Sequence, residues 1–244
     1  MAATDSQIPR INLLCMQDHF MYDWNLAAME QSLPSSVAIR VYNCALSQLP
    51  GDDAAFDAVV SPANSYGRLD GAFDDAISRA FSPTDDYFAL TRVAQEKLYE
   101  QWRGMAPPGT CTLVRIPDDF VAASKNVWGT KYVCLCPTMR LPQDVNWDKE
   151  VVYECVWSML NAVANHNRAV RQGKADEGDV EIKSICMTPL ATGVGRVSSG
   201  KWASQAVLAI KHFVEAEEDP EKWSNLSWLK IGDTHLEIES TWNK

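Results

Sequence analysis

The chain has 244 residues, 46% of them apolar and 22% charged, so a disordered or fibrous protein is excluded. Its 32 acidic and 22 basic side chains leave a net charge of −10, which argues against a nucleic-acid partner because such binding depends on neutralising phosphates. No run approaches the roughly 18 consecutive apolar residues of a membrane span, and we expect no membrane partner. Residues 1–7 lack a basic and an apolar region, and we expect no secretory signal.

The seven cysteines form an odd set that lies mostly inside apolar runs. This pattern predicts small buried thiols in a reduced intracellular protein, cytoplasmic or nuclear, more than a disulfide framework. Cys134 and Cys136 alternate as strand residues do and should point to one face of a sheet. Without a second pair at similar spacing they are a weak metal signal, and we predict no metal site.

The first half of the chain alternates short apolar runs with amphipathic stretches, which is typical of an α/β domain. The runs predict strands over 11–16, 37–42 and 58–61. The amphipathic stretches predict helices over 23–32, 72–81 and 85–102. Pro50 and Gly51 with the two following aspartates predict a turn at 50–53.

The second half continues the alternation. Strands are predicted over 110–116, 132–136 and 182–188, and helices over 149–168 and 200–216. A polar loop carrying Trp128 should separate the first two of these strands, and residues 172–179 read as a solvated loop. Helices between most strands imply crossover connections, and hence a mixed, largely parallel sheet covered on both faces.

The segment from Pro220 onward carries Trp223, Trp228 and Trp242. Three indoles are too much apolar surface for a free tail, so we expect this segment to fold back on the domain. A partner-binding segment is the alternative.

Two loops carry the residues of chemical interest, because ligands of open α/β sheets bind beyond the carboxyl ends of strands. The first follows the predicted strand 58–61, and residues 61–77 read S-P-A-N-S-Y-G-R-L-D-G-A-F-D-D-A-I. Asn64 offers an amide suited to a sugar hydroxyl, and two glycines allow close approach of the backbone. Asp70, Asp74 and Asp75 cluster at the start of a helix, where they are explained equally well as first-turn charges.

The second loop lies between the last strand and the closing helix, and residues 188–200 read T-P-L-A-T-G-V-G-R-V-S-S-G. Its small residues allow consecutive N–H groups to form an anion-binding nest in front of a helix N-terminus. It is not a Walker loop, since the Gly-Lys-Thr/Ser ending is missing.

In these motifs the chain resembles the macro domain, whose pattern is N-A-A-N followed by G-G-V-D-G-A-I-x-R-A. The interval from Asn64 to Asp74 is the one found in its ADP-ribosyl hydrolase members. The run S-P-A-N-S-Y-G with L-D-G is most similar to a macro-like branch that also carries P-T-M-R, here residues 137–140, and a later glycine loop, here residues 190–195. Four ordered matches over roughly residues 11–215 are more specific than any one of them.

The resemblance implies a three-layer α/β/α fold with a mixed, largely parallel sheet that binds ADP-ribose, without a cofactor, in a cleft at the strand ends. In this family's pattern Asn64 holds the distal ribose and Asp74 orients or deprotonates a water near its anomeric carbon. The backbone of Thr192, Gly193, Val194 and Gly195 holds the diphosphate, and Gly71, Ala72 and Phe73 form the facing wall; Asp70 and Arg196 flank these segments and complete the predicted contacts.

The chain departs from the family pattern at three places. Ser61 stands where the first Asn of the motif belongs. The bulkier Ala72 and Phe73 leave fewer glycines in the segment that the family pattern writes G-G-V-D. The adenine-reading Asp of the family is missing from Tyr42–Leu46, and Asp18, after the first strand, is our candidate substitute.

The remaining candidates are weaker. His19, His166, His212 and His235 share no spacing with a nucleophile and are expected to be surface or satisfied side chains. Arg140 is more readily a solvated arginine than a phosphate ligand. Tyr66, Phe73 and Trp128 are the aromatic residues considered for the cleft.

We therefore expect a macro-like domain over residues 8–217 and a Trp-containing appendage over 218–244. The leading hypothesis is hydrolysis of a mono-ADP-ribosyl ester or of O-acyl-ADP-ribose, with ADP-ribose or an ADP-ribosylated protein as partner. A non-catalytic reader, an ADP-ribose 1″-phosphate phosphatase and a protein-interaction domain using the tail are the alternatives. The sequence does not set the oligomeric state.

Overall fold

The computed structural model describes residues 8–51 and 54–244. The expectation about a secretory signal in residues 1–7, and residues 52 and 53 of the predicted turn, lie outside the described part of the chain.

A six-stranded sheet forms the centre of the molecule. Its strands are β1 (Arg10–Leu14), β2 (Ile39–Tyr42), β3 (Ala58–Ser61), β4 (Thr112–Arg115), β5 (Tyr132–Leu135) and β6 (Ser184–Met187). Their order across the sheet is β2-β1-β6-β3-β5-β4, and all neighbours are parallel except β4 and β5. The predicted mixed, largely parallel sheet is confirmed.

Helices cover both faces of this sheet. They are α1 (Asp18–Glu30), α2 (Phe73–Phe81), α3 (Ala89–Trp102), α4 (Asp118–Ala123), α5 (Val151–Arg171), α6 (Ser199–Glu218), α7 (Pro220–Ser224) and α8 (Trp228–Glu239). Helices α1, α5 and α6 contribute to one apolar core, and α2 and α3 to a second. Alternate strand residues enter alternate cores, as Leu13 and Leu14 do, because side chains of a strand point to opposite faces. The fold is three-layered, α/β/α.

Helix positions differ from the predictions in several places. Helix α3 begins at Ala89, four residues after its predicted start, and α7 and α8 lie in the segment for which no helix was predicted. Helix α1 begins at Asp18, five residues before the predicted start, and its N-cap residue Gln17 makes no side-chain cap that would mark the boundary. The segment between β4 and β5, predicted as a loop, contains α4. Six residues are too few to show a helical period, and the signal present in the sequence was Pro117 followed by two aspartates.

Trp128 is a core residue, and its interpretation as a residue of the cleft was wrong. It is buried, stacks on Phe56 at 5.5 Å between ring centroids, and donates its indole N–H to the carbonyl of Leu49. The indole is instead a member of the second core.

The cysteines are free thiols, and Cys134 and Cys136 enter the same core, as their spacing predicted. Burial raises the pKa of the Cys155 thiol to about 12, so this side chain stays protonated at neutral pH. Among the residues described, no helix has the length and apolar character that crossing a membrane requires.

The segment after α6 returns to the domain at several points. Trp223 stacks on Trp157 at 5.6 Å, and Trp242 donates its indole N–H to the carboxylate of Glu150. Ser198, the N-cap residue of α6, donates its hydroxyl to the carbonyl oxygen of Lys244 at 2.7 Å. Trp228, by contrast, is almost fully exposed.

The seam between β3 and β6 joins the two halves of the sheet. It is short, since the paired residues are Ala58 with Ile185 and Val59 with Cys186. A short parallel pairing supplies few hydrogen bonds, so the residues that border it matter for holding the halves together.

Asp57, directly before β3, reinforces this seam. Its Oδ2 accepts hydrogen bonds from the N–H groups of Lys183 and Ser184, both at 2.8 Å, and from the Ser184 hydroxyl at 2.9 Å. Its backbone carbonyl accepts from the N–H groups of Lys131 and Tyr132, next to β5. One residue thus bonds the strands on both sides of β3.

We predict that Asp57→Ala lowers the free energy of unfolding by about 3 kcal/mol, because two backbone N–H groups lose a charged acceptor. Asp57→Asn should lower the free energy of unfolding by less, since its amide oxygen still accepts these hydrogen bonds. Urea denaturation measures both, with Asp176→Ala, an exposed aspartate of the α5–β6 loop, as the matched control. A loss for Asp57→Ala no larger than that of the control would contradict the role of this carboxylate.

Candidate functional site

The loops that follow β3 and β6 lie side by side. Strands β3 and β6 are neighbours and parallel, so both chains leave the sheet at the same edge. This carboxyl edge is where open α/β sheets place ligands. Residues 62–72 form the first loop, and residues 188–198 form the second, which we call the glycine loop.

Asn64 organises the first loop. Its side-chain oxygen accepts from the backbone N–H groups of Tyr66 and Arg68, and its amide nitrogen donates to the carbonyl of Arg68 at 2.9 Å. An amide nitrogen has two hydrogens. One of them is therefore left for an external acceptor.

The predicted P-T-M-R segment supports this loop from the β5 side. Ser65 donates its N–H to the carbonyl of Met139, and Thr138 donates its N–H to the carbonyl of Ala63. Met139 is buried and Arg140 is exposed. The two motifs that resemble one family branch are thus joined by backbone hydrogen bonds.

The backbone from Asp70 to Phe73 presents unused donors. None of these four N–H groups donates to an acceptor within the described ranges. Gly71 and Ala72 are exposed, Phe73 is half-buried, and the Asp70 carboxylate pairs with the guanidinium of Arg68. The donors lie at the start of α2, whose N-terminus adds a positive dipole end.

Ala72 adopts a conformation that favours glycine. Its φ is 50° and its ψ is −121°, in a region that L residues rarely occupy. This is the position at which the chain lacks a glycine of the family pattern. The strained backbone places the N–H of Phe73 and the start of α2.

Asp74 is the buried carboxylate of the site, with 6% of its surface exposed. Burial raises its pKa to about 7; the hydroxyl of Ser61, which donates to Oδ1 at 2.6 Å, lowers the pKa, and the charge of Asp70 raises it. The sequence predicted Asp74 but missed Ser61, whose position in the motif was the available signal. A carboxylate with a pKa near 7 suits proton transfer at neutral pH.

Asp75 has a structural role by comparison. It forms an ion pair with Arg79 at 2.8 Å and accepts a hydrogen bond from the hydroxyl of Tyr87 at 2.7 Å. These contacts, with the hydrogen bond from Arg79 as the largest cause, lower the pKa of Asp75. The two adjacent aspartates therefore differ in burial and in protonation.

The glycine loop presents a second run of unused donors. The N–H groups of residues 192–195 donate to no acceptor among the described residues. The loop is closed by hydrogen bonds from Arg196 to the carbonyl of Gly193 and from Val197 to that of Ala191. A Cβ at Gly195 would lie 2.4 Å from the Ala191 carbonyl oxygen, whereas one at Gly193 would have nothing within 4 Å.

Hydrogen bonds hold the glycine loop at both of its ends. Val145 donates its N–H to the carbonyl of Gly195, and Ser198 caps α6 by accepting from the N–H of Lys201. The side chains of Arg196 and Val194 are exposed, and Thr192 donates its hydroxyl to the carbonyl of Pro189. The run of donors is thus held in front of the positive end of a 20-residue helix.

Asp18 lies beyond β1, the other neighbour of β6. Its carboxylate accepts a hydrogen bond from the side-chain amide of Asn43 at 2.8 Å. Asn43 follows β2 and stands in the stretch where the family's adenine-reading Asp was missing. The sequence did not single out Asn43, because the two residues are 25 positions apart and meet only through the pairing of β1 with β2.

The sheet therefore gathers the predicted residues at the ends of three adjacent strands, β1, β6 and β3. A cavity of about 290 Å³ lies elsewhere, between α1, α6 and α8, and holds none of these residues. Within the described residues, no group of three or more His, Cys, Asp or Glu side chains is arranged to hold a metal ion.

No family model and no curated protein sequence matches this chain. Among solved structures it is similar to a variant of the Oceanobacillus iheyensis macrodomain with ADPR, at 18% identity and a TM-score of 0.45 over 66% of this chain and 72% of that one. The same macrodomain with ADP matches at 18% and 0.45 over 66% and 70%, and with MES bound at 16% and 0.44 over 76% and 85%. Likenesses of this size carry no argument about what this chain does.

We predict that Asp74 makes the stability of the protein fall with rising pH. Its pKa is about 7 in the folded state against 3.8 as the ordinary value, so the folded chain keeps a proton that the unfolded chain loses. The contribution of this proton to the free energy of unfolding is complete below pH 3.8 and is lost as the pH rises to about 7. Between pH 5 and pH 8 the wild type should lose roughly 2 kcal/mol relative to Asp74→Asn.

Urea titrations of both proteins at pH 5, 6, 7 and 8 measure this difference. Asp75→Asn is the control, because the pKa of Asp75 is lowered and its ionisation is complete over that range. Parallel pH profiles for the wild type and Asp74→Asn would show that Asp74 is ionised throughout.

Proposed function

We propose that this chain binds ADP-ribose and hydrolyses an ADP-ribosyl linkage, either a mono-ADP-ribosyl ester of a protein carboxylate or O-acyl-ADP-ribose. The observation that carries the proposal is the pair of unused donor runs, residues 70–73 and 192–195, at the ends of adjacent parallel strands. Such runs suit a diphosphate. The macro-domain resemblance of the motifs suggests which diphosphate it is.

The glycine loop accounts for how an acidic protein binds an anion. Four backbone N–H groups in front of α6 supply partial positive charge without a basic side chain. In the proposed complex they donate to the diphosphate oxygens, and exposed Arg196 flanks the loop. The donors from Asp70 to Phe73 face the same ligand from the β3 side.

The distal ribose lies between Asn64 and Asp74 in this proposal. The second amide hydrogen of Asn64 donates to a ribose hydroxyl, while its other contacts keep the amide in place. Gly71 and Ala72 form the wall, where the absence of large side chains allows close approach.

Asp18 and Asn43 form the proposed adenine contact. The carboxylate of Asp18 accepts from the exocyclic amino group of the base, and the Asn43 amide orients that carboxylate through the 2.8 Å hydrogen bond. The pair replaces the single Asp of the family pattern.

Asp74 is the proposed general base. Its carboxylate takes a proton from a water molecule, whose oxygen attacks the anomeric carbon of the distal ribose. In the mono-ADP-ribosyl ester, the bond from that carbon to the ester oxygen breaks, and its electron pair leaves with the carboxylate product. Ser61 holds Oδ1, so Oδ2 is the oxygen for the water. The base is active in its ionised form, and the rate should rise with pH toward a plateau above about pH 7.

A reader that binds ADP-ribose without turnover is the second candidate. It is favoured by the near-complete burial of Asp74, which limits the room for a water beside the carboxylate. The strained Ala72 also stands where the family pattern has glycine, and small displacements of a ligand cost much in rate. Binding and turnover therefore need separate measurements.

For binding, we predict that calorimetry detects ADP-ribose and that Gly193→Val weakens its affinity at least about tenfold. The valine side chain has open space at this position, so the protein should keep its melting temperature while the side chain obstructs the donors. Gly232→Ala, a substitution in α8 with equal space, is the control and should bind as the wild type does. An unchanged affinity for Gly193→Val would place the ligand elsewhere.

For turnover, we predict that the wild type releases ADP-ribose from a protein modified on glutamate, and that Asp74→Asn is slower by a factor on the order of 100. The variant should retain ADP-ribose binding, because Asn keeps an acceptor for Ser61. Asp75→Asn, one residue away, should retain most of the rate. Binding without release by the wild type would establish the reader, and equal rates for the wild type and Asp74→Asn would remove Asp74 as the base.

A further inference from the structure

Helix α8 exposes a row of large apolar side chains. Trp228, Leu229 and Leu236 are 87%, 76% and 62% exposed. Isolated exposed apolar residues are ordinary, but three large ones within one 12-residue helix indicate an interaction surface. We call Trp228, Leu229 and Leu236 the α8 outer face.

The opposite side of α8 is already packed on the domain. Ile238 is buried. Glu237 accepts hydrogen bonds from Lys211 and from the ring of buried His212. His212 is held in turn by the hydroxyl of Tyr153 at 2.9 Å. The helix is therefore fixed in orientation, and its outer face does not belong to the core of its own domain.

The spacing of the outer face suits a partner helix. Leu229 and Leu236 are two turns apart on one side of α8. Gly232 lies between them, and a Cβ there would have nothing within 4 Å. The missing side chain makes a notch into which an apolar side chain of a partner fits.

The charge of α8 is negative. Three acidic side chains, Asp233, Glu237 and Glu239, outnumber its one basic side chain, Lys230. Asp233 and Glu239 lie within one turn of Leu236, and within the described residues neither has an ion-pair partner. An apolar face between uncompensated carboxylates is complementary to apolar groups flanked by cations.

We propose that the α8 outer face binds an amphipathic helix of a partner protein whose apolar stripe is flanked by lysine or arginine. A second copy of this chain would bring two acidic segments together, and an anionic membrane would repel the same carboxylates. The proposal is independent of the ADP-ribose site, since none of its residues belongs to either loop.

A pair of synthetic peptides tests the surface chemistry. One is a helix of about 18 residues built from Ala, Leu and Lys with a single leucine stripe, and the other has Glu in place of Lys. Calorimetry should show the full-length protein binding the lysine peptide at least about tenfold more tightly than the glutamate peptide. The affinity should fall about tenfold in Leu229→Ser/Leu236→Ser, because apolar burial is lost.

The control is Met29→Ser/Leu141→Ser, which removes two exposed apolar side chains elsewhere and should bind like the wild type. All of these positions are exposed, so the melting temperatures should be unchanged. Equal affinity for both peptides, or an unaffected Leu229→Ser/Leu236→Ser variant, overturns the proposal. The proposal is also overturned if the wild type dimerises in sedimentation, or binds phosphatidylserine vesicles, and Leu229→Ser/Leu236→Ser abolishes that association.

Discussion

The hydrogen bonds to the Asp57 carboxylate are the interactions on which the arrangement of the central sheet depends. The seam between β3 and β6 contains two residue pairs, and one oxygen of Asp57 adds three hydrogen bonds across it. The same residue accepts two more through its backbone on the β5 side. Because the first loop and the glycine loop leave from these two strands, the seam also sets their relative positions. Fold stability and site geometry therefore rest on the same few bonds.

Electrostatics at the site depend on backbone dipoles more than on side-chain charge. The chain carries −10 overall, and within the glycine loop Arg196 is its one basic side chain. Two runs of N–H groups, each in front of a helix N-terminus, provide local positive potential. The carboxylates near residues 215–221 lie at the other end of α6, about 30 Å away along a 20-residue helix. At that distance their field is screened at physiological ionic strength.

The departures from the macro-domain pattern have physical consequences in this chain. Ser61, in place of the first Asn, donates to Asp74 and offsets part of the effect of burial on its pKa. Ala72 keeps a glycine-like backbone conformation, at a cost of order 1 kcal/mol or more. Asn43, in the stretch where the Asp of the pattern is absent, donates its side-chain amide to Asp18.

The sequence by itself determined the layers, five of the helices on them, the strands and the two loops, because periodicity and turn residues act over a few neighbouring positions. Asn64 and Asp74 were predicted from the resemblance of their motif to the macro-domain pattern, and their roles stay predictions. Helices α4, α7 and α8 and the starts of α1 and α3 were not predicted. For α4 and the start of α1 the reason is a short segment or a missing side-chain cap, which leaves no local signal. The contacts of Ser61 with Asp74, of Asn43 with Asp18, and of Asp57 with Ser184 were decided by the tertiary structure. Each joins residues 13 to 127 positions apart. The packing of α2 beside β3 forms the first contact, and strand order, which no local pattern encodes, forms the other two.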